Sequence, residues 1–310
     1  MALSQLLMAG VFLPNSVFLK GRADTSSIIG WLRFITPIII WLIKEPSLYS
    51  LMLGLLLAFL INKSNGLIAE SQQIRLYLYI GMILLHLQFA KLGWFFRYEA
   101  YLIFSGSVIL MELAIDWIRF LREKNSLQVS ISSVTGVAIV TLLLIPLLYR
   151  GGKAIAFYPL AVKNIYEQQV QMGRFISRFY SGRIIAANDI GAINYYADIY
   201  LIDLYGLASL EITDLKINHK LNAETIDRLV RQKNVDLIVI YPSWYEDLLP
   251  QSWIPIGNWV IEENVVCGSD LVEFYAINPS QVNTILQNLI SFSHLLPRTI
   301  KQSGMYTEVP

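Results

Sequence analysis

Apolar residues follow two regimes along this chain, and the change comes near Arg150. Before it they run long and nearly unbroken; after it they fall in short runs between polar, helix-patterned stretches. Four early runs approach the ~20 residues that a bilayer-spanning helix requires. They are Tyr49–Ile61 with its flanks, Leu76–Phe96, Tyr101–Phe120 and Ser132–Tyr149. A fifth run, Ile28–Ile43, is shorter, contains Arg33 and Pro37, and carries Trp31 and Trp41 near its ends. That pattern favours an amphipathic helix lying in the membrane interface over a further span.

Beyond Arg150 the period alternates between helix and strand. Val162–Tyr180 is polar and amphipathic and predicts a helix. Arg183–Ala187, Leu201–Tyr205 and Val235–Tyr241 predict strands. The last, VDLIVIY, is the kind of apolar run found in sheets covered on both faces. Asn188-Asp189 predicts a turn and cap ahead of a helix over Ile190–Tyr196. Asn222–Lys233 predicts a surface helix with Asn222 as cap and Glu224/Arg228 as an i,i+4 pair. Trp259–Val266 and Leu271–Ile277 predict a hairpin around Gly268-Ser269-Asp270, and Ser280–Ser293 a last helix. From His294 onward no period is visible, which predicts a frayed tail. The expected fold is a membrane α-helical bundle over residues 1–150, with about four spanning helices plus one interfacial helix. A small extracytoplasmic α/β domain over residues 151–310 follows it.

Composition sharpens this division. The 310 residues are 55% hydrophobic and only 15% charged, against roughly 25% charged in soluble domains. Residues 1–150 hold 12 Lys/Arg and 7 Asp/Glu, a net +5; residues 151–310 hold 12 and 16, a net −4. Such a distribution lacks the basic face that nucleic-acid binding needs. The loop Asn62–Arg75 carries Lys63 and Arg75, and the loop Arg119–Gln128 carries Arg119, Arg122 and Lys124. Positive loops stay cytoplasmic, so the domain after Tyr149 is expected outside. The single cysteine, Cys267, excludes an intrachain disulfide and reads as a small buried residue.

The second half contains no phosphate loop, metal-ligand spacing or nucleophile elbow, and His86, His219 and His294 are isolated in sequence. Gly151-Gly152 reads as a hinge. Asp189 follows a strand, at the edge where open α/β sheets bind ligands; the alternative is that it only caps the next helix. Tyr195, Tyr196, Trp244 and Tyr245 fall on strand-to-loop edges, where aromatics stack on sugar rings or anchor a domain at the headgroup level. In the membrane half, Glu112 and Asp116 share a helix face, and Asp116 has Arg119 within pairing distance in sequence. Arg97 and Glu99, in WFFRYEAY, lie at the outer surface. An arginine there suits a lipid-linked phosphate, or it pairs with Glu99.

Several blocks in order carry a family resemblance: LPNSVFLK (Leu13–Lys20), GWLRFITPIIIWLIKEP (Gly30–Pro46), FRYEAYL (Phe96–Leu102), ANDIGAINYYADIYLIDLYGL (Ala187–Leu207), VDLIVIYPSWY and NVVCGSDLVEFYAI. Together they resemble the C-terminal part of bacterial polytopic glycosyltransferases of the GT-C superfamily, in the arabinofuranosyl- and mannosyltransferase-like branch. The resemblance implies a bacterial inner-membrane enzyme that moves a sugar from a polyprenyl-phosphate donor to a cell-envelope glycan or lipid acceptor. It makes Arg97, Lys20 and Glu99 candidates for the donor phosphate or lipid. It makes Asp189, Tyr195, Tyr196, Trp244 and Tyr245 candidates for the sugar or acceptor. It allows a divalent cation, for which the sequence offers no ligand set, and no other cofactor is identified. In that family the catalytic carboxylate lies in the first extracytoplasmic loop, and no quoted block matches that loop. The expectation is a C-terminal portion that is inactive alone, with its catalytic residues unknown. The rival reading is a non-catalytic, membrane-anchored glycan-binding or accessory protein. A sensor or transporter is a weaker third, lacking an output domain or helix repeats.

Overall fold

A computed structural model describes residues 46–90, 93–123 and 131–308. The interfacial segment 28–43 and Lys20 lie outside the described residues. The described chain falls into two compact units that divide between Ala156 and Phe157.

The first unit is helical: α1 (Pro46–Ser64), α2 (Glu70–Phe89), α3 (Ala100–Glu123) and most of α4 (Ile131–Ile165). Among the described residues two helices, α1 and α3, are long and apolar enough to cross a membrane. The first turns of α2 are polar instead, with Glu70, Gln72, Gln73 and Arg75. Leu48, Leu51, Leu55, Tyr79, Leu102 and Leu110 form a core between α1, α2 and α3. Gly106 allows α3 to approach, since a Cβ there would lie 2.4 Å from the Tyr79 hydroxyl. Outward-facing residues are also apolar, including Leu56, Leu78, Leu84, Phe104 and Met111.

The second unit begins with the end of α4, a π-helical turn (Tyr166–Val170) and α5 (Gln171–Phe179). Then come β1 (Ile184–Ala187), α6 (Gly191–Tyr196), β2 (Tyr200–Asp203), α7 (Leu210–Ile217), α8 (Ala223–Gln232) and β3 (Leu237–Ile240). After a 3-10 turn (Pro242–Trp244) follow β4 (Ile254–Val260), β5 (Leu271–Ala276), α9 (Pro279–Ser293), β6 (Lys301–Ser303) and a 3-10 turn (Met305–Thr307). The six strands form one sheet in the order β2-β1-β3-β5-β4-β6. β1 pairs in parallel with both β2 and β3, while β5, β4 and β6 continue the sheet antiparallel.

Alternating side chains of the strands feed two cores. Ile185, Ala187, Leu237 and Val239 face Phe175 of α5, Ile193 of α6 and Leu289 of α9. Ala186, Ile202, Ile238 and Ile240 face Ile212 of α7 and Ile226 and Val230 of α8. This period-2 division explains why β3 is apolar throughout. Phe175 is the hub of the first core, with its ring within 6 Å of Phe179, Tyr180, Trp259, Phe274 and Phe292.

Three expectations need correction. The segment after His294 is ordered: β6 pairs with β4, and the buried Tyr306 hydroxyl accepts from Trp259 Nε1 at 3.1 Å. Gly257 makes room for that ring, since a Cβ would come within 2.4 Å of it. The hairpin strand opposite β5 is Ile254–Val260 rather than Trp259–Val266, because the pairing ends at the Ile261 N–H to Asp270 carbonyl bond and residues 262–269 form the connecting loop. On α8 Asn222 does cap the helix, accepting from the Thr225 N–H at 2.8 Å. The helix pair, however, is Asp227–Arg231 at 2.8 Å; Glu224 and Arg228 make none among the described residues. Helix α7 is an addition that no periodicity announced.

Candidate functional site

The chain leaves β1 toward α6 on one face of the sheet and leaves β2 toward α7 and α8 on the other. The direction of winding therefore reverses between β1 and β3, and open α/β sheets bind ligands in the crevice beyond the strand C-termini at such a point. The residues that follow β1 and β3 here are Asn188-Asp189 and Tyr241.

The N-cap residue of α6 is Ile190, which makes no side-chain cap bond, rather than Asp189. The Asp189 Oδ2 accepts from Gln169 Nε2 at 2.6 Å and lies 2.8 Å from the Tyr241 hydroxyl. The same hydroxyl is 2.9 Å from Gln168 Oε1. Gln168 in turn donates to the carbonyls of Ser269 and Asp270, at 3.0 and 3.2 Å. The π turn thus delivers two adjacent glutamines to one point on the sheet edge. Asn188 is buried; its Oδ1 accepts from the Tyr241 N–H at 3.2 Å, while its Nδ2 has no partner. Burial, then the neighbouring Asp189, push the Tyr241 hydroxyl well above its ordinary pKa. The same two causes push the Cys267 thiol up to about 12, so this cysteine is a neutral wall of the site.

Aromatic rings border this polar cluster. Trp244 lies 5.4 Å from the Tyr241 ring and 5.3 Å from Tyr205, and donates through Nε1 to the Gly268 carbonyl at 3.1 Å. Gly268 is held to glycine by contact, since a Cβ would approach Trp244 to 2.5 Å and Tyr241 to 2.7 Å. On the β2 side Asp203 is buried, and its two oxygens accept from the N–H groups of Tyr205 and Ala208, each at 2.8 Å. Tyr245 is buried nearby with an unpartnered hydroxyl, and burial followed by the Asp203 charge raises its pKa.

Of the residues singled out from sequence, Asp189 and Trp244 meet at this edge, and Tyr245 lies behind it. Tyr195 and Tyr196 do not: they close α6 at its other end, packed edge to face at 5.1 Å, with Tyr195 84% exposed. Glu99, a sequence candidate for the donor phosphate or lipid, lies inside the helical unit. It is fully buried, and its Oε1 accepts from Arg150 at 2.8 Å and its Oε2 from the Gly93 N–H at 2.9 Å. Arg97 does not pair with Glu99; it is exposed, with its guanidinium 5.3 Å from the Tyr98 ring. Glu112 pairs with Arg75, and Asp116 accepts from Gln72 at 2.6 Å and pairs with Arg119 at 3.5 Å. Tyr241, Asn188, Gln168 and Gln169 escaped sequence reading. The one available signal was that Tyr241 directly follows an apolar strand, as Asn188 follows β1.

A divalent cation fits this edge poorly. Asp189 is already bonded by side-chain donors and Asp203 by backbone N–H groups. Among the described residues no three His, Cys, Asp or Glu side chains gather as metal ligands would.

A family described as "Domain of unknown function (DUF8728)" matches residues 163–275. That stretch runs from the end of α4 through β5 and contains the whole strand-edge cluster. No curated protein and no solved structure matches the chain.

Proposed function

We propose that the chain is part of a bacterial inner-membrane glycosyltransferase of GT-C type. The sheet domain lies outside and the helices, four of them spanning, hold a polyprenyl-phosphate sugar donor. The observation that carries the reading is the β1/β3 edge. An aromatic shelf at Trp244, a carboxylate at Asp189 and a buried, unpartnered amide at Asn188 form a donor and acceptor set suited to sugar hydroxyls. Outward-facing apolar side chains on α1, α2 and α3 support immersion of the helical unit in lipid. Asn62 Nδ2 reaches the Leu113 carbonyl at 3.2 Å and Gln72 reaches Asp116 at 2.6 Å, so both basic loops lie at one end of that unit. This supports a cytoplasmic placement of that end. In this reading Asp189 and Trp244 position a sugar of the donor or of the glycan or glycolipid acceptor.

One observation favours the non-catalytic alternative, an anchored glycan-binding or accessory protein. Two donors already satisfy Asp189, a state suited to orienting a ligand rather than taking a proton. The full chain in lipid nanodiscs, given radiolabelled polyprenyl-phosphate sugars and an envelope glycan acceptor, separates the two. Saturable binding of the polyprenyl-phosphate sugar, with or without transfer, supports the glycosyltransferase portion, and binding of the envelope glycan without the donor supports the anchored binder. Absence of any binding, or binding equally strong in Asp189→Asn and Trp244→Ala, defeats both.

A further inference from the structure

Away from the strand edge, α5 presents Gln171, Arg174, Ser177 and Arg178 at i, i+3, i+6 and i+7, along one face. These side chains line an open groove of about 450 Å³. Its opposite wall is Tyr196 at the end of α6, Phe292 of α9 and Leu295 just beyond. Gly173 sets how closely that wall stands, since a Cβ there would meet Tyr196 at 2.8 Å and the Ala192 carbonyl at 3.0 Å.

No acid lines the groove. Arg174 and Arg178 are exposed, and neither forms an ion pair with any described residue. Each guanidinium has an aromatic ring nearby: Arg174 lies 5.4 Å from the Tyr166 ring and Arg178 5.6 Å from Phe179. Arg174 also reaches the Tyr166 hydroxyl at 3.4 Å. Gln171 supplies the second, independent observation. It is 1% exposed, yet its Nε2 is buried without a hydrogen-bond partner. Folded proteins rarely leave such a donor unmatched.

The groove therefore offers two guanidinium groups on one helix face, an unmatched amide and a hydroxyl. Guanidinium forks match phosphate oxygens, and the Tyr196 and Leu295 side suits an organic substituent. We infer that this groove binds a phosphate ester, with Arg174 and Arg178 on its oxygens and Gln171 Nε2 completing the set. Asp189 and Tyr196 flank opposite ends of α6, so this is a second site, independent of the activity proposed above.

A free phosphate ester and a phospholipid headgroup share this chemistry, and one experiment distinguishes them. The full chain in phosphatidylcholine nanodiscs is labelled with phenylglyoxal, and the rate at each arginine is read by peptide mass spectrometry. The exposed Arg228 on α8 serves as control. Inorganic phosphate, against chloride of matched ionic strength, slows Arg174 and Arg178 several-fold and leaves Arg228 unchanged. Protection by phosphatidylglycerol nanodiscs without added phosphate identifies the lipid as the source. Gln171→Leu weakens the apparent phosphate affinity ~10-fold, as loss of a hydrogen bond to a charged group does. Equal labelling of all three arginines under every condition overturns the proposal. So does full protection in Gln171→Leu.

Discussion

The Glu99 loop of the helical unit and the recesses of the sheet domain bury polar groups in opposite ways. Around Glu99 and Arg150 the matching is complete: Arg150 donates to Glu99 and to the Phe96 carbonyl, and Glu99 also accepts the Gly93 N–H. The loop they hold is costly, because Trp94, Phe95 and Phe96 have φ of 57°, 51° and 61°. In the sheet domain Asn188, Gln171 and Tyr245 each bury a polar atom with no partner. Complete matching holds the Glu99 loop in shape, while the unmatched amides of Asn188 and Gln171 stand beside recesses where an arriving ligand would supply the missing partner.

The largest effect should come from breaking the matched pair. Glu99→Ala leaves Arg150 buried without its counter-charge and should cost about 3–5 kcal/mol, measured by denaturant unfolding of the full chain. Glu99→Leu combined with Arg150→Leu should recover most of that; a double variant as unstable as the single would mean that the left-handed loop, not the charge, sets the loss. Next comes Gly268→Ala, where overpacking against Trp244 and Tyr241 should cost about 1–3 kcal/mol and raise hydrogen exchange across Tyr241–Tyr245.

Two tyrosines sharpen the contrast further. Tyr241→Phe removes a made hydrogen bond and should destabilise by about 1 kcal/mol in thermal melts. Tyr245→Phe removes an unmatched buried hydroxyl and should be neutral or stabilising by a similar amount. Equal losses in the two would erase the distinction between matched and unmatched groups. The smallest effect concerns Asp227. Burial opposes its ionisation, but hydrogen bonds from Arg231, Ser252 and Trp253 outweigh that and hold its pKa below the ordinary carboxylate value. A depressed folded pKa adds stability above the unfolded pKa and loses it as pH falls through the folded one. Asp227→Asn should therefore melt with a shallower acid dependence than the parent below about pH 4.

Elements with strong local signals were legible in the sequence: β3 in its apolar run, α8 in its Asn222 cap, α9 in its period. Asp189 was legible because it follows a strand. Tyr241 was not, since a tyrosine ending an apolar run looks like core until the neighbouring strand is placed. The ordered tail was invisible for the same reason: β6 is polar on its own, and only its pairing with β4 gives it a place. Tyr195 and Tyr196 stand at the far end of the helix that Asp189 precedes, so one predicted element places them away from the strand edge.

The π turn at Tyr166–Val170 acts as an indexing step on a shaft. A helix that loses one residue rotates everything beyond it by ~100°. Deleting a single residue from this turn would swing Gln171, Arg174 and Arg178 off the groove and Gln168 and Gln169 off the strand edge together. Two recesses with separate chemistry thus share one mechanical setting, and it is written in five residues of local winding rather than in either recess.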